Sequence, residues 1–146
     1  MPSEHAVIAA RNILYIRQHG VIEFHQSLAH FEGWCDSPQF RPHYHWLMDF
    51  SELTDIDPDP VPMMAFQARI AIRLPVMRHP PFFVLHAPLS CGAGRVAAMN
   101  IHKAWNGLDV RLPRLSETEE EALDILGQPE RSFAALFAAC AVDISV

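Results

Sequence analysis

The pattern of apolar and polar positions along this chain predicts strands and helices in alternation. Short apolar runs over residues 6–10 and 13–17 flank the polar pair Arg11-Asn12. This pattern favours two antiparallel strands joined by a tight turn, with Gly20 ending the second strand. Over residues 24–36, apolar side chains recur at steps of three and four, which predicts one buried face of a helix.

Further strands and helices are predicted along the rest of the chain. The continuous apolar run over residues 82–85 is typical of a strand buried on both faces. Ser116-Glu-Thr-Glu119 is a capping box that begins a helix, and Gly127 would end that helix. The other predicted elements are a strand over 46–50, helices over 63–74, 93–105 and 116–126, a short strand over 109–112 and a last helix over 130–140.

Together these elements predict one α/β domain with a mixed β-sheet. Strands that alternate with helices after an initial hairpin are expected to form a sheet covered by about four or five helices. The chain has 146 residues, of which 50% are hydrophobic, and this length suits a single core. We expect that core to span about residues 6–127, with a C-terminal extension over 128–146. The uniformly small and apolar run over 133–141 indicates packing against a partner.

Charge and cysteine content exclude several classes of function. Eleven Lys and Arg against seventeen Asp and Glu give a net charge of −6, and no window is rich in basic residues, so a nucleic-acid partner is not expected. No stretch approaches the roughly 20 apolar residues that cross a bilayer, and no signal peptide is recognised, so we expect a cytoplasmic protein without a membrane partner. The three cysteines are odd in number and widely spaced, as reduced thiols are.

The acidic stretch over residues 49–57 carries the most specific pattern. Asp49 and Asp57 bracket it, and we expect it to leave the carboxyl end of the strand over 46–50 as a loop, where open α/β sheets usually hold their sites. The run Asp-Phe-Ser-x-Leu-Thr-x-Ile-Asp, with the order of elements over most of residues 6–127, resembles the STAS domains of bacterial anti-sigma-factor antagonists. In that family a phosphorylatable Ser, then Ser-Gly, follows the second acid.

The resemblance implies a regulatory module that has lost its phosphorylation switch. Pro58, Asp59 and Pro60 stand where the family has Ser-Ser-Gly, and proline has no hydroxyl to carry a phosphate. Ser51 and Thr54 in the same stretch are alternative phosphoacceptors. Their more favoured interpretation is that the hydroxyls bond nearby backbone in a turn. Asp57 is equally interpreted as a helix cap.

A second candidate site is Ser90-Cys91-Gly92-Ala93-Gly94-Arg95, between a strand and a helix. The glycines Gly92 and Gly94 permit close backbone approach, and a helix N-terminus with Arg95 one turn inside favours a small anion. The favoured alternative is a tight turn capped by Ser90. Cys91 and Arg95 are too close for a cysteine-phosphatase loop, and Cys91 has no activating base nearer than His86.

Metal binding is considered because the chain has nine histidines. His43 and His45 are two residues apart and would share one face of a strand, which is a spacing that zinc uses. No third ligand is evident, so surface or strand-end histidines are the favoured interpretation. We expect neither a metal nor a cofactor.

These observations favour a non-catalytic regulatory or protein-interaction module, expected to form a homodimer and to contact a protein partner through residues 49–63. The alternative is a small-anion sensor or an enzyme. It would use a strand-end crevice formed by Asp49, Asp57 and Asp59 with the loop over 91–95. No set of nucleophile, base or metal ligands in the sequence supports an enzyme.

Overall fold

The computed structural model describes residues 3–105 and 110–145, and within them six strands form one mixed sheet. The strands are β1 (Ser3–Ile8), β2 (Ile13–Ile22), β3 (His45–Ile56), β4 (Phe82–His86), β5 (Leu112–Ser116) and β6 (Asp143–Ser145). Their order in the sheet is β5-β4-β3-β2-β1-β6. β1 is antiparallel to both of its neighbours, and β2 to β5 are parallel. The predicted α/β class with a mixed sheet is confirmed.

Helices cover both faces of this sheet. They are α1 (Phe24–Cys35), α2 (Pro60–Arg73), α3 (Gly92–Trp105), α4 (Glu119–Ile125) and α5 (Phe133–Ala139). Successive residues of a strand point to opposite faces, so each strand contributes to two cores. Leu14, Trp46 and Phe83 pack under α1, α2 and α3, whereas Leu47 and Val84 pack under α4 and α5.

The N-terminal hairpin forms as predicted but with different bounds. β1 ends at Ile8, and residues 9–11 form a 3-10 turn that closes at Asn12, whose φ is 56°. β2 continues past Gly20, which was expected to end it. Gly20 has a φ of +72°, and the pairing register with β3 shifts next to it. A glycine in this conformation lets the strand bulge and continue.

The acidic stretch continues β3 and is not a loop, so that prediction is wrong. Residues 52–56 of β3 pair in parallel with residues 19–22 of β2. Ser51, Glu52, Thr54 and Asp55 are exposed along this half of the strand. Their polarity therefore reflects contact with water, while the backbone is paired with β2. The connection to α2 shortens to residues 57–59, and α2 begins at Pro60, earlier than predicted.

The C-terminal elements also differ from the prediction. β5 runs over Leu112–Ser116 in place of 109–112, and Asp109 lies outside the described residues. Ser116 ends β5, so it caps no helix; Thr118 caps α4 by accepting the Glu121 N–H at 3.1 Å. Gly127, with a φ of +71°, ends α4 as predicted.

The last predicted helix is shorter than expected and packs within the chain. α5 spans Phe133–Ala139, and Phe133 and Leu136 are buried in the core under α4 and α5. The chain's own core therefore explains Phe133 and Leu136, whereas Ala134, Ala135, Ala138 and Ala139 are exposed. Packing of this exposed side against a partner stays a prediction. β6, which pairs with β1, was not predicted. In the part of the chain that is described, every helix is too short or too polar to cross a membrane.

Candidate functional site

Asp57 and Asp59 shape the entry into α2. The Asp57 carboxylate accepts the Asp59 N–H at 3.0 Å, and Asp59 accepts the Val61 N–H at 3.0 Å. Asp59 is therefore the N-cap of α2, with Pro60 in the first turn, where a missing N–H is tolerated. The expectation that Asp57 caps this helix is wrong, because the cap is Asp59, two residues later. Both carboxylates thus accept a backbone N–H; Asp59 is exposed and Asp57 is half-buried.

Ser51 and Thr54 lie on the exposed half of β3, so the interpretation as turn hydroxyls is wrong. The Ser51 N–H donates to the Asp49 carboxylate at 3.0 Å. Both hydroxyl-bearing side chains face solvent. Their role as phosphoacceptors remains an untested alternative.

The entrance to α3 is built for close packing on β3. A Cβ atom added at Gly94 would lie 2.5 Å from the Phe50 carbonyl oxygen. Cys91 donates its thiol to the Leu53 carbonyl at 3.2 Å and approaches the Phe50 carbonyl at 3.4 Å. The close contact between α3 and β3 therefore requires glycine at position 94. The space that a side chain would need there is occupied by the Phe50 backbone.

The remaining residues at this entrance do not converge on an anion site. Ser90 and Gly92 are exposed, and Cys91, not Ser90, directly precedes α3. The Arg95 guanidinium donates to the Ala87 carbonyl at 3.4 Å and lies 3.6 Å from the Glu117 carboxylate. The side-chain contacts of Arg95 are thus with Ala87 and Glu117, and none of them joins it to Ser90 or Gly92.

Asp49 faces the opposite side of the sheet from this entrance. The flanking residues Met48 and Phe50 pack under α1, α2 and α3, whereas Asp49 accepts the Tyr15 hydroxyl at 2.5 Å on the α4–α5 side. Asp49 and the loop over residues 91–95 therefore do not enclose one crevice. Asp49 is therefore not part of a site shared with that loop.

Asp49 instead belongs to a buried polar row that crosses the parallel strands at the level where β4 and β5 end. Asp49 of β3 pairs in register with His86 of β4, which pairs with Ser116 of β5. His86 Nδ1 lies 3.1 Å from Ser116 Oγ, and the Tyr15 hydroxyl completes the set. We call Tyr15, Asp49, His86 and Ser116 the buried polar row.

The buried polar row contains Ser, His and Asp side chains, yet it is closed to substrate. Asp49, His86 and Ser116 are only 5%, 3% and 0% exposed. The Phe133 ring of α5 packs on His86 at 5.1 Å between ring centroids. A nucleophilic serine must reach a carbonyl carbon, and Ser116 has no exposed surface. The four side chains of the row therefore serve as hydrogen-bond partners for one another inside the core.

Protonation in this row follows from burial. Burial lowers the pKa of His86, although Asp49 opposes this shift, so the imidazole is neutral near pH 7. Burial and the neighbouring Asp49 raise the pKa of Tyr15 far above its usual value, so Tyr15 acts as a hydrogen-bond donor. The sequence indicated Asp49 alone. Asp49 lies near the end of the predicted strand over 46–50, and His86 directly follows the predicted strand over 82–85, which was the available signal for these two residues. Ser116 gave no such signal, because the sequence placed it at the start of a helix.

His43 and His45 do not form a shared ligand pair. His45 Nδ1 accepts the Phe82 N–H at 2.9 Å, and His43 Nε2 lies 3.2 Å from the Asn12 side-chain oxygen. Among the described residues, no three His, Cys, Asp or Glu side chains are grouped to hold a metal ion.

Comparisons with known family models, curated proteins and solved structures found no match to this chain. The likeness to STAS domains therefore stays a prediction that depends on the residues quoted above.

Proposed function

We propose that this protein is a non-catalytic regulatory module that docks a protein partner on the outer surface of α2 and α3. The observation that carries the proposal is a set of exposed apolar side chains on these two helices. They are Val61 (65% exposed), Met64 (61%) and Ile72 (72%) on α2, and Val96 (50%) and Met99 (44%) on α3. We call these five residues the α2–α3 face.

The helical spacing of the α2 residues places them on the side of the helix that faces away from the core. Phe66 and Ile70 of α2 point inward and are buried, whereas Val61, Met64 and Ile72 lie on the opposite side of the same helix. α2 and α3 are neighbours, since Gln67 of α2 bonds the Ala104 carbonyl of α3. Apolar side chains collected on one surface of a small protein mark interaction sites more often than single exposed ones do.

Acidic residues at the start of α2 indicate what kind of partner fits. Asp59 is exposed and directly precedes α2, Asp55 is exposed near the end of β3, and Asp57 between them is half-buried. A partner with an apolar centre and a basic rim would complement this arrangement. A second copy of this chain that brought the two α2 starts together would oppose acid with acid, so we propose a different protein as the partner at this surface.

The internal roles of the candidate chemical groups also support a non-catalytic module. Asp59 caps α2, Cys91 donates to strand carbonyls, and Ser116 is fully buried. The partner-binding role also agrees with the resemblance to STAS domains, and with the expectation that residues 49–63 contact a partner. Pro58 still excludes phosphorylation at that position.

The test compares proteins retained from an extract of the source cells by the wild-type chain and by a V61S/M64S variant. Both side chains are exposed, so we expect the variant to fold normally and to lose the specific partner. Leu112→Ser is the matched control, because Leu112 is also exposed (41%) but lies on β5.

A partner retained by wild type and by Leu112→Ser, but not by V61S/M64S, supports the proposal, and calorimetric titration of the purified pair would then give the affinity. Equal retention by all three chains would contradict it. Native mass spectrometry of the untagged protein would separately report whether the chain forms a homodimer.

A further inference from the structure

We propose that a cavity between α5 and the β1–β2 pair binds a small organic anion with an apolar, preferably aromatic, body. The cavity has a volume of about 480 Å³, within the usual range for ligand pockets. It is lined by Glu4, His5, Ala6, Tyr15, Arg17, Phe137, Cys140 and Val142. We call it the α5 cavity.

The walls of the α5 cavity are mainly apolar. Ala6 and Tyr15 contribute from the sheet, and Phe137 and Val142 contribute from α5 and the segment after it. The Tyr15 and Phe137 rings meet edge to face with 4.9 Å between centroids. The Tyr15 hydroxyl is bonded to Asp49, so Tyr15 offers its ring rather than a free hydroxyl. Such walls favour a flat apolar body.

Arg17 supplies the positive charge for the ligand's head group. One of its terminal nitrogens donates to Glu4 at 2.7 Å, and the other lies 4.0 Å from Glu52, beyond hydrogen-bond distance. Arg17 Nε is buried and has no acceptor. The two terminal nitrogens carry four N–H donors and make one hydrogen bond, to Glu4, so they have unused capacity for a carboxylate or sulfonate.

Glu4 is the group that such a ligand would replace. Its side chain is 39% exposed, and that of Arg17 is 36% exposed. A pair this exposed adds little stability, because water screens its attraction. When an anion binds Arg17, Glu4 can turn into solvent at small cost. The remaining polar lining, His5 and Cys140, adds no further cation: burial lowers the pKa of His5 to about 4, and Cys140 carries a thiol.

This cavity is independent of the proposed partner site. Tyr15 and Phe137 pack on the α4–α5 side of the sheet, whereas the α2–α3 face lies on the other side. Loss of ligand binding and loss of partner binding can therefore be measured separately, with variants of different residues.

The first experiment titrates the full chain with anilinonaphthalene sulfonate and follows its fluorescence. Decanoate should displace the probe, and decanol, which has the same chain without charge, should displace it less. Arg17→Gln should weaken binding about tenfold or more, since it removes a charge-assisted hydrogen bond. Glu4→Gln should strengthen binding several-fold, because it removes the competing carboxylate. Leu112→Ser, on β5 and outside the cavity lining, should leave the affinity unchanged.

A second measurement locates the ligand in the cavity. Cys140 lines it, whereas Cys91 lies at the entrance to α3, so iodoacetamide labelling of the two is compared by peptide mass spectrometry. Decanoate should slow labelling of Cys140 and leave Cys91 unchanged. The proposal is overturned if Arg17→Gln binds the probe as wild type does, if Glu4→Gln weakens binding, or if Cys140 is not protected.

Discussion

Gly94 is the single residue whose replacement the structure most clearly forbids. In Gly94→Ala, the new methyl group would lie 2.5 Å from the Phe50 carbonyl oxygen, so α3 must move away from β3. We expect a loss of about 1–3 kcal/mol in the free energy of unfolding, as is typical of overpacked cores. Urea denaturation followed by circular dichroism would measure this loss.

Gly33 provides a control of the opposite sign. It lies in α1, is exposed, and has open space where a Cβ would be added. Gly33→Ala should therefore stabilise the protein by about 0.5–1 kcal/mol, because alanine loses less entropy in a helix. Equal effects of the two substitutions would show that the contact between α3 and Phe50 is not tight.

At the scale of elements, Asp59 connects β3 to α2 through its capping bond. Asp59→Ala removes the acceptor of the Val61 N–H, and we expect unfolding to become easier by about 1 kcal/mol. Asp59→Asn keeps a side-chain oxygen and should remain within a few tenths of a kcal/mol of wild type. Thermal unfolding of wild type, Asp59→Ala and Asp59→Asn would compare their stabilities. A smaller loss for alanine than for asparagine would argue against a capping role.

Element types were predictable where one periodicity dominated. The helix over 24–36 matches α1 to within one residue, because its apolar residues share one buried face. The strand over 82–85 matches β4 to within one residue, because it is apolar throughout and buried on both faces. β3 was cut short because its exposed half carries Ser51, Glu52 and Thr54, and its pairing with β2 is a long-range property. Ser116 was assigned to a cap because the sequence alone does not show that β5 extends to it.

The candidate site was predictable only in part for the same reason. Asp49 was recognised from its position near a strand end, but its contacts are made by Tyr15 on another strand. The α5 cavity arises because α5 returns across β1 and β2, far from them in the chain. No local pattern of apolar and polar residues predicts that α5 packs against β1 and β2. Exposed apolar residues on α2, such as Val61 and Met64, are visible in the sequence but not as a surface.

The molecule as a whole should lose stability on mild acidification. Burial, with a smaller effect of His30, lowers the pKa of His5 from 6.5 to about 4, and burial also lowers the pKa of His30, His45 and His86. The unfolded chain therefore binds protons near pH 6.5 that the folded chain does not accept until lower pH. Since the unfolded state binds more protons in this window, stability falls as pH falls.

The expected size is about 2 kcal/mol from His5 alone between pH 7 and pH 5, with the other three histidines acting in the same direction. Urea denaturation across this range gives the slope. His5→Phe keeps a buried ring next to Trp34 and should reduce that slope. An unchanged slope in this variant would show that His5 is protonated equally in both states.

The pairing of β6 with β1 decides how the sheet is protected against aggregation. Residues 143–145 bond the outer edge of β1 along residues 5–7, and β6 is only three residues long. Until β6 docks, β1 presents free backbone donors and acceptors beside apolar Ala6 and Val7, which is the template on which strands of other molecules add. A chain shortened before Asp143 would keep that edge open permanently. The short strand β6 thus covers the exposed edge of β1 and leaves only a three-residue edge of its own on this side of the sheet.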